Sequence, residues 1–144
     1  MKATDLALNR ILGIRTAPAG APHLLEMAAA PALLNHVGTI HAAAQFALAE
    51  AASAECLQRH FPDLDGRVFA VVREVEVKYR KAAHGDLLAG GTVDPATAAG
   101  LRRELAERGR TFAVILVDLR DREGTLTFHG KFQWFVSLSP GAPG

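Results

Sequence analysis

The sequence predicts an α+β domain in which a curved, mostly antiparallel sheet wraps around one central helix. Three observations carry this. Between Thr39 and about Leu57 the chain has neither Gly nor Pro and contains Ala42, Ala43, Ala44, Ala47, Ala49, Ala51, Ala52 and Ala54. Strong helix formers spread around the whole circumference make a helix that wants burial, and its narrow surface lets a sheet close on it. Near the C-terminus, Leu126, Phe128, Phe132, Trp134, Val136 and Leu138 alternate with Thr125, Thr127, His129, Lys131, Gln133 and Ser137, the pattern of a strand with one apolar face. The order of segments, a strand, the helix, then four strands with one helical insertion, fits one sheet over one helix.

Taken in order, Leu6, Ile11 and Leu12 recur at roughly helical spacing before the Pro/Gly-rich break Ala17 to Pro22, so residues 1–22 read as a short helix and a linker. His23 to Asn35 is apolar but interrupted by Pro31, which predicts an edge strand ending at the turn around Gly38. The Ala-rich helix follows, then the turn Pro62 to Gly66. In Arg67 to Tyr79, the residues Val75, Val77 and Tyr79 alternate with Glu74, Glu76 and Lys78, predicting a strand with one buried and one wet face. A further strand over Asp86 to Val93 is weakened by Gly90 and Gly91. Asp94 reads as an N-cap with Pro95 at the first helical position, and Ala98, Leu101 and Leu105 form the stripe of an outer amphipathic helix that stops at Gly109. Phe112 to Val117 is apolar throughout, as for a central strand covered on both faces. The turn Asp121 to Gly124 leads into the last strand, and the tail over residues 140–144 reads as loose.

A chain of 144 residues supports one well-buried core, so residues 1–144 read as a single domain. A formal net charge of +1 provides no electrostatic case for nucleic acid. The single cysteine, Cys56, has no partner for a disulfide within the chain and points to a reducing compartment. Asp5 and Arg10 interrupt the apolar pattern of residues 1–14, unlike a signal peptide, and no stretch has the apolar length of a membrane span. The expectation is a cytoplasmic protein.

The chemistry concentrates around the central helix. A carboxylate on an Ala-rich helix with little free surface must be hydrogen-bonded, paired or partly protonated, which makes Glu50 a candidate general base or nucleophile. Its plainer reading is a solvated residue near the helix end. Asn35 stands ahead of the turn into the helix, where its amide can meet a substrate or a water, or simply form the turn. The backbone N–H of Ala42 lies in the first helical turn, among unsatisfied donors at the positive end of the dipole, and can polarise a carbonyl. His36 and His41 are five residues apart, off one helical face and with no carboxylate to complete a set, so no metal is expected. His41 reads as fixing the start of the helix.

The segment from Asn35 through Gly38, His41, Ala42 and Ala43 to Glu50 resembles the signature of hotdog-fold acyl-CoA thioesterases of the phenylacetate-degradation type. The shared pattern is Asn, a Gly after two residues, a His followed by two small residues, and an acidic residue nine positions after the His. The similarity extends to a strand ending in Tyr79, followed by small residues and Gly85. Three positions depart from the pattern: Ala42-Ala43 replaces Gly-Gly, Glu50 stands where Asp is common, and the Ser or Thr of the following strand falls on Val72. The string His60-Phe61-Pro62 is similar to hotdog dehydratases, but there the catalytic histidine precedes the helical Glu, which disfavours a hydratase.

The resemblance implies hydrolysis of an acyl-CoA thioester without metal or cofactor. Glu50, Asn35 and the Ala42 N–H would be catalytic, and His41 and Gly38 would bind substrate. The basic cluster Lys78, Arg80 and Lys81 reads either as a contact for the phosphates of coenzyme A, with Arg80 and Lys81 binding substrate, or as a solvated strand end. It also implies a homodimer, or a tetramer of two dimers, with each site shared between two subunits. A non-catalytic acyl-CoA binding or sensing module is the alternative.

Overall fold

The structure is a computed structural model that describes residues 1–140. Its helices are α1 (Ala7–Ile11), α2 (Ala42–His60) and α3 (Pro95–Arg108), and its strands are β1 (Ile14–Thr16), β2 (Leu25–Met27), β3 (Val68–Tyr79), β4 (Leu87–Val93), β5 (Arg110–Asp121) and β6 (Leu126–Leu138). The strands form one six-stranded sheet in the order β1-β2-β4-β5-β6-β3, with antiparallel pairing throughout. The sheet curves around α2, as the alanine content predicts: Ala49, Ala51 and Ala52 are at most 1% exposed. The expectation of a loose tail falls, beyond Pro140, outside the described residues.

Four expectations change. The strand expected over 23–35 shrinks to β2, because Pro31 has no N–H for a ladder and instead opens a 3₁₀ turn, Pro31–Leu33. Nor is β2 an edge. Ile14–Thr16 pairs outside it, docked by Arg15, whose guanidinium donates to Glu26 at 2.9 Å directly across the register. The Phe112–Val117 run is covered on one face only. Ala113, Ile115 and Val117 are buried against α2, whereas Phe112 is 50% exposed, because no second layer of the described residues covers the convex face there. Finally, the alanines of α2 are not buried all round: Ala43, Ala47, Glu50 and Ala54 lie on a stripe that remains exposed or half-buried.

On β3, none of the twelve residues is fully buried, although Val68, Ala70, Val72, Val75 and Val77 all pack against the core. Their spacing changes phase between Val72 and Val75. A bulge between Val72 and Glu74 absorbs the extra residue, so both halves of the strand keep their apolar side chains inward. With β6 on one side and no strand on the other among the described residues, β3 is the long free edge of the sheet.

Gly91 explains how α2 approaches β4 so closely. A Cβ built there would stand 2.9 Å from the Cβ of Cys56, while one at Gly90 would meet nothing within 4 Å. Burial also pushes the Cys56 thiol up to about 11. Gly91→Ala is expected to destabilise the fold by about 1–3 kcal/mol through overpacking, whereas Gly90→Ala should change stability far less. Urea denaturation midpoints of the two variants check this, and equal midpoints would remove the close approach as the reason for the glycine.

α3 packs against β5 with Leu101 and Leu105 buried. Its N-cap is Asp94, whose carboxylate accepts from the Ala96 N–H at 3.1 Å, with Pro95 in the first turn, and Gly109 ends it in the left-handed region at φ 73°. The Thr97 hydroxyl then accepts from the Val114 N–H at 2.9 Å, continuing the pairing of β5 beyond the end of β4.

Candidate active site

The loop before α2 is closed by Asn35. Its side-chain oxygen accepts from the N–H groups of Val37 at 3.0 Å and Thr39 at 3.1 Å, and its amide nitrogen donates to the Thr39 hydroxyl at 2.8 Å. The backbone repeats the closure, Asn35 N–H donating to the Thr39 carbonyl at 2.8 Å. These are the contacts of a turn-forming Asn, and they leave one amide N–H for another partner. Gly38 sits in this turn at φ 80°, a conformation that favours glycine. His41 is the N-cap of α2, its Nδ1 accepting from the Ala43 N–H at 2.9 Å. That bond requires the lone pair on Nδ1, so the proton of the neutral ring is on Nε2.

With Ala43 capped, the Ala42 N–H at the helix start has no acceptor among the described residues. Ala42 lines a cleft of about 240 Å³ that also brings together Asn35, Gln45, Tyr79, Arg80 and Lys81. The end of β3 is pinned here, because the Tyr79 hydroxyl donates to the Ala42 carbonyl at 3.0 Å. Residues 80–83 are tied on both sides: the Arg80 N–H donates to the Thr127 carbonyl at 2.8 Å, and the Ala83 carbonyl accepts from the Ile40 N–H at 2.9 Å. The side chains of Arg80 and Lys81 are exposed and meet no carboxylate among the described residues. Of the residues singled out in the sequence, the cleft thus unites Asn35, Ala42, Arg80 and Lys81. Gly38 and His41 do not line it; they build the turn and the cap.

Gln45 and Tyr79 are among the lining residues that the sequence does not single out. Gln45 is only 5% exposed, its nitrogen donating weakly to the Ile40 carbonyl at 3.4 Å and its oxygen without a partner among the described residues. A polar residue in an otherwise apolar row of the helix was its only signal. Tyr79 was read as the end of a strand, and its hydrogen bond to Ala42 spans 37 residues, beyond the reach of any local pattern. Burial raises the Tyr79 hydroxyl above its ordinary value.

Glu50 lies elsewhere, eight residues along α2 and about 12 Å of helix rise from Ala42. It is half-buried, and its carboxyl has no hydrogen bond or ion pair among the described residues. Burial alone raises it above the ordinary carboxylate value, since removing the ionised group from water disfavours it. The turn that carries it is braced: the Ser53 hydroxyl donates to the Glu50 carbonyl at 2.7 Å, and the Trp134 indole N–H donates to that hydroxyl at 3.0 Å. Within one chain, then, the free backbone donor and the desolvated carboxylate occupy separate places on the same helix. Among the described residues no three His, Cys, Asp or Glu side chains come together as metal ligands, and no helix is long and apolar enough to cross a membrane.

The model of a family described as a domain of unknown function, DUF4442, matches residues 21–136. No curated protein matches the sequence. Among solved structures, a Pseudomonas aeruginosa protein described as a probable thioesterase is 22% identical, with a TM-score of 0.75, over 95% of this chain and 91% of its own. A Bacillus halodurans protein solved with CoA is 19% identical, with a TM-score of 0.69, over 90% of this chain and 74% of its own. A Staphylococcus aureus thioesterase is 14% identical, with a TM-score of 0.69, over 94% of this chain and 100% of its own. The six-stranded sheet around a central helix is the fold these structures share.

Proposed function

The chain belongs to the DUF4442 family and has the hotdog fold of thioesterase-superfamily structures, and from that premise we propose that it hydrolyses an acyl-CoA thioester. The observation that carries the reading is Glu50, a half-buried carboxyl raised by burial and without a partner among the described residues, on the open stripe of a helix whose other face is closed by the sheet. A carboxylate left in that state serves chemistry better than packing. The Staphylococcus aureus protein has been solved with a Glu→Ala and with a Gln→Ala replacement fifteen residues apart, the separation of Asn35 and Glu50 here, which supports the same two positions.

As a general base, Glu50 takes a proton from water while the water oxygen attacks the thioester carbon. The Ala42 N–H accommodates the oxyanion, and the C–S bond then breaks as the thiolate leaves and gains a proton. As a nucleophile, Glu50 attacks the same carbon directly, the C–S bond breaks as the thiolate leaves and gains a proton, and water hydrolyses the mixed anhydride that is formed. Either route needs the ionised carboxylate and no metal or cofactor. Asn35 holds the loop that presents the Ala42 N–H, with one amide N–H left for the carbonyl or the water. Arg80 and Lys81 are placed for the phosphates of coenzyme A, and the CoA bound to the Bacillus halodurans relative supports that thiol half.

The donor and Glu50 are too far apart to meet on one thioester within a subunit, so the working form is a homodimer, or a pair of dimers, with each site made from two chains. The free edge of β3, twelve residues long, is best protected by pairing with a second copy. A cytoplasmic location suits both the substrate and the lone buried Cys56.

The test is a screen of short, medium, long and aromatic acyl-CoAs for release of free thiol, with light scattering at micromolar concentration for the dimer. Thiol release with at least one class is expected; CoA binding without any hydrolysis would overturn the enzyme reading. That result is what the second reading, a non-catalytic acyl-CoA binding module, expects, and the commitment of most of the Asn35 amide to its own loop is the observation that favours it.

A further inference from the structure

One turn beyond Glu50 an apolar pocket opens inside the chain. It holds about 240 Å³ between the C-terminal half of α2, the start of β3, β6 and α3, with Ala54, Phe61, Ala70, Leu101 and Trp134 among its walls. Ala54 is four residues after Glu50, on the same stripe of the helix. The pocket is also joined to the Glu50 turn by hydrogen bonds, since its Trp134 donates to Ser53, which donates to the Glu50 carbonyl. On its far side, α3 is latched to the segment after α2. The Arg102 guanidinium lies 4.8 Å from the centre of the Phe61 ring and donates to both oxygens of Asp63, at 2.6 and 3.0 Å. Beside the Trp134 indole N–H, the lining includes the polar side chains of Gln58 and Asp65, and the Met1 ammonium lies 4.0 Å from the Asp65 carboxylate.

We propose that this pocket receives the acyl group of the substrate and selects medium-length apolar chains. The assignment rests on the reading of Glu50 as the carboxylate at the thioester. Ala54 is about 6 Å of helix rise from Glu50, and an extended hydrocarbon built from C–C bonds of about 1.5 Å advances roughly 1.25 Å per carbon. An acyl chain therefore reaches the pocket after about five carbons, and shorter groups end before it. A volume of about 240 Å³ admits roughly eight further groups of about 30 Å³, the share of a water molecule and close to that of a methylene.

Two measurements test this on the full chain. The first compares kcat/KM for butyryl- and decanoyl-CoA. Decanoyl-CoA should exceed butyryl-CoA by at least about tenfold, because several methylenes leave water. Ala54→Phe fills the pocket and should reduce the decanoyl-to-butyryl ratio at least about tenfold, while Leu101→Ala enlarges it and should shift the preference to longer chains. The second measurement follows the fluorescence of Trp134, the single Trp of the sequence, as decanoate or butyrate is added. A change with decanoate only, lost in Ala54→Phe, is expected. Equal rates for butyryl- and decanoyl-CoA with no fluorescence change would overturn the pocket and leave the thioesterase reading standing. A decanoate response without hydrolysis of any thioester would overturn the thioesterase reading and keep the pocket as an apolar binding site. Should Ala54→Phe fail to fold, Leu101→Ala decides alone: an unchanged chain-length preference in that variant would overturn the proposal.

Discussion

Glu50→Gln is expected to lower thioester hydrolysis by about 10²- to 10⁴-fold, the range supplied by a positioned acid or base, and at the same time to make the protein more stable at neutral pH. The two effects have one cause. Burial raises the Glu50 carboxyl above its ordinary value, so the folded state disfavours the ionised form. Its favourable contribution is fully present below the unfolded carboxylate range and is lost as pH rises through the raised folded value. At neutral pH the wild-type protein holds an ionised carboxylate at a cost that a neutral isostere removes. The gain should vanish in acid, below about pH 4, where the carboxyl is protonated in both states. Urea midpoints of wild type and Glu50→Gln at the two pH values measure the stability half of the prediction. Thiol release measures the other half, and the pH profile of wild-type kcat/KM should rise through an apparent pKa above the usual carboxylate range. Undiminished turnover in a folded Glu50→Gln protein would end the catalytic assignment. A stability difference independent of pH would end the electrostatic one.

Ala42→Pro mixed with Glu50→Ala should restore activity that neither protein has alone. Pro at the first position of a helix removes only an N–H that has no intrahelical partner, and Ala42 occupies that position, preceded by His41 with extended backbone at φ −59° and ψ 138°, which tolerates a following Pro. The variant should keep α2 and lose the oxyanion donor, a loss of about 10²- to 10³-fold in kcat. Glu50→Ala adds one more alanine to a helix already rich in them. If each site takes its donor from one subunit and its carboxylate from the other, a mixed dimer contains one intact site and one doubly defective site. Random exchange makes about half of the dimers mixed, so about a quarter of wild-type activity should return. Confirmed exchange between two folded, inactive variants with no return of activity would refute the shared site.

Much of the candidate site was legible because its signals are local. Asn35, Gly38 and His41 lie within seven residues of sequence, and the turn and cap they form depend on neighbours that close. The oddity of a carboxylate at Glu50 follows from the alanines on either side of it. Gln45 and Tyr79 were not legible as members of one cleft, since the strand end that supplies Tyr79, Arg80 and Lys81 reaches the start of α2 only after β3 has paired with β6.

By itself the sequence determined the alanine helix, the alternating strands β3 and β6, and the Asp94-Pro95 start and Gly109 stop of α3, because periodicity and capping are decided within a turn or a few residues. Even the phase change between Val72 and Val75 was written there, and the bulge accommodates it. The tertiary structure alone decided that β3 lies outermost beside β6, that Ile14–Thr16 becomes the opposite edge, and that only one face of β5 is covered. It also decided which stripe of α2 stays open, and that stripe carries Glu50. Apolar patterning states that a face must be buried, but the partner that buries it, and the part left uncovered, follow from pairings between residues far apart in the chain.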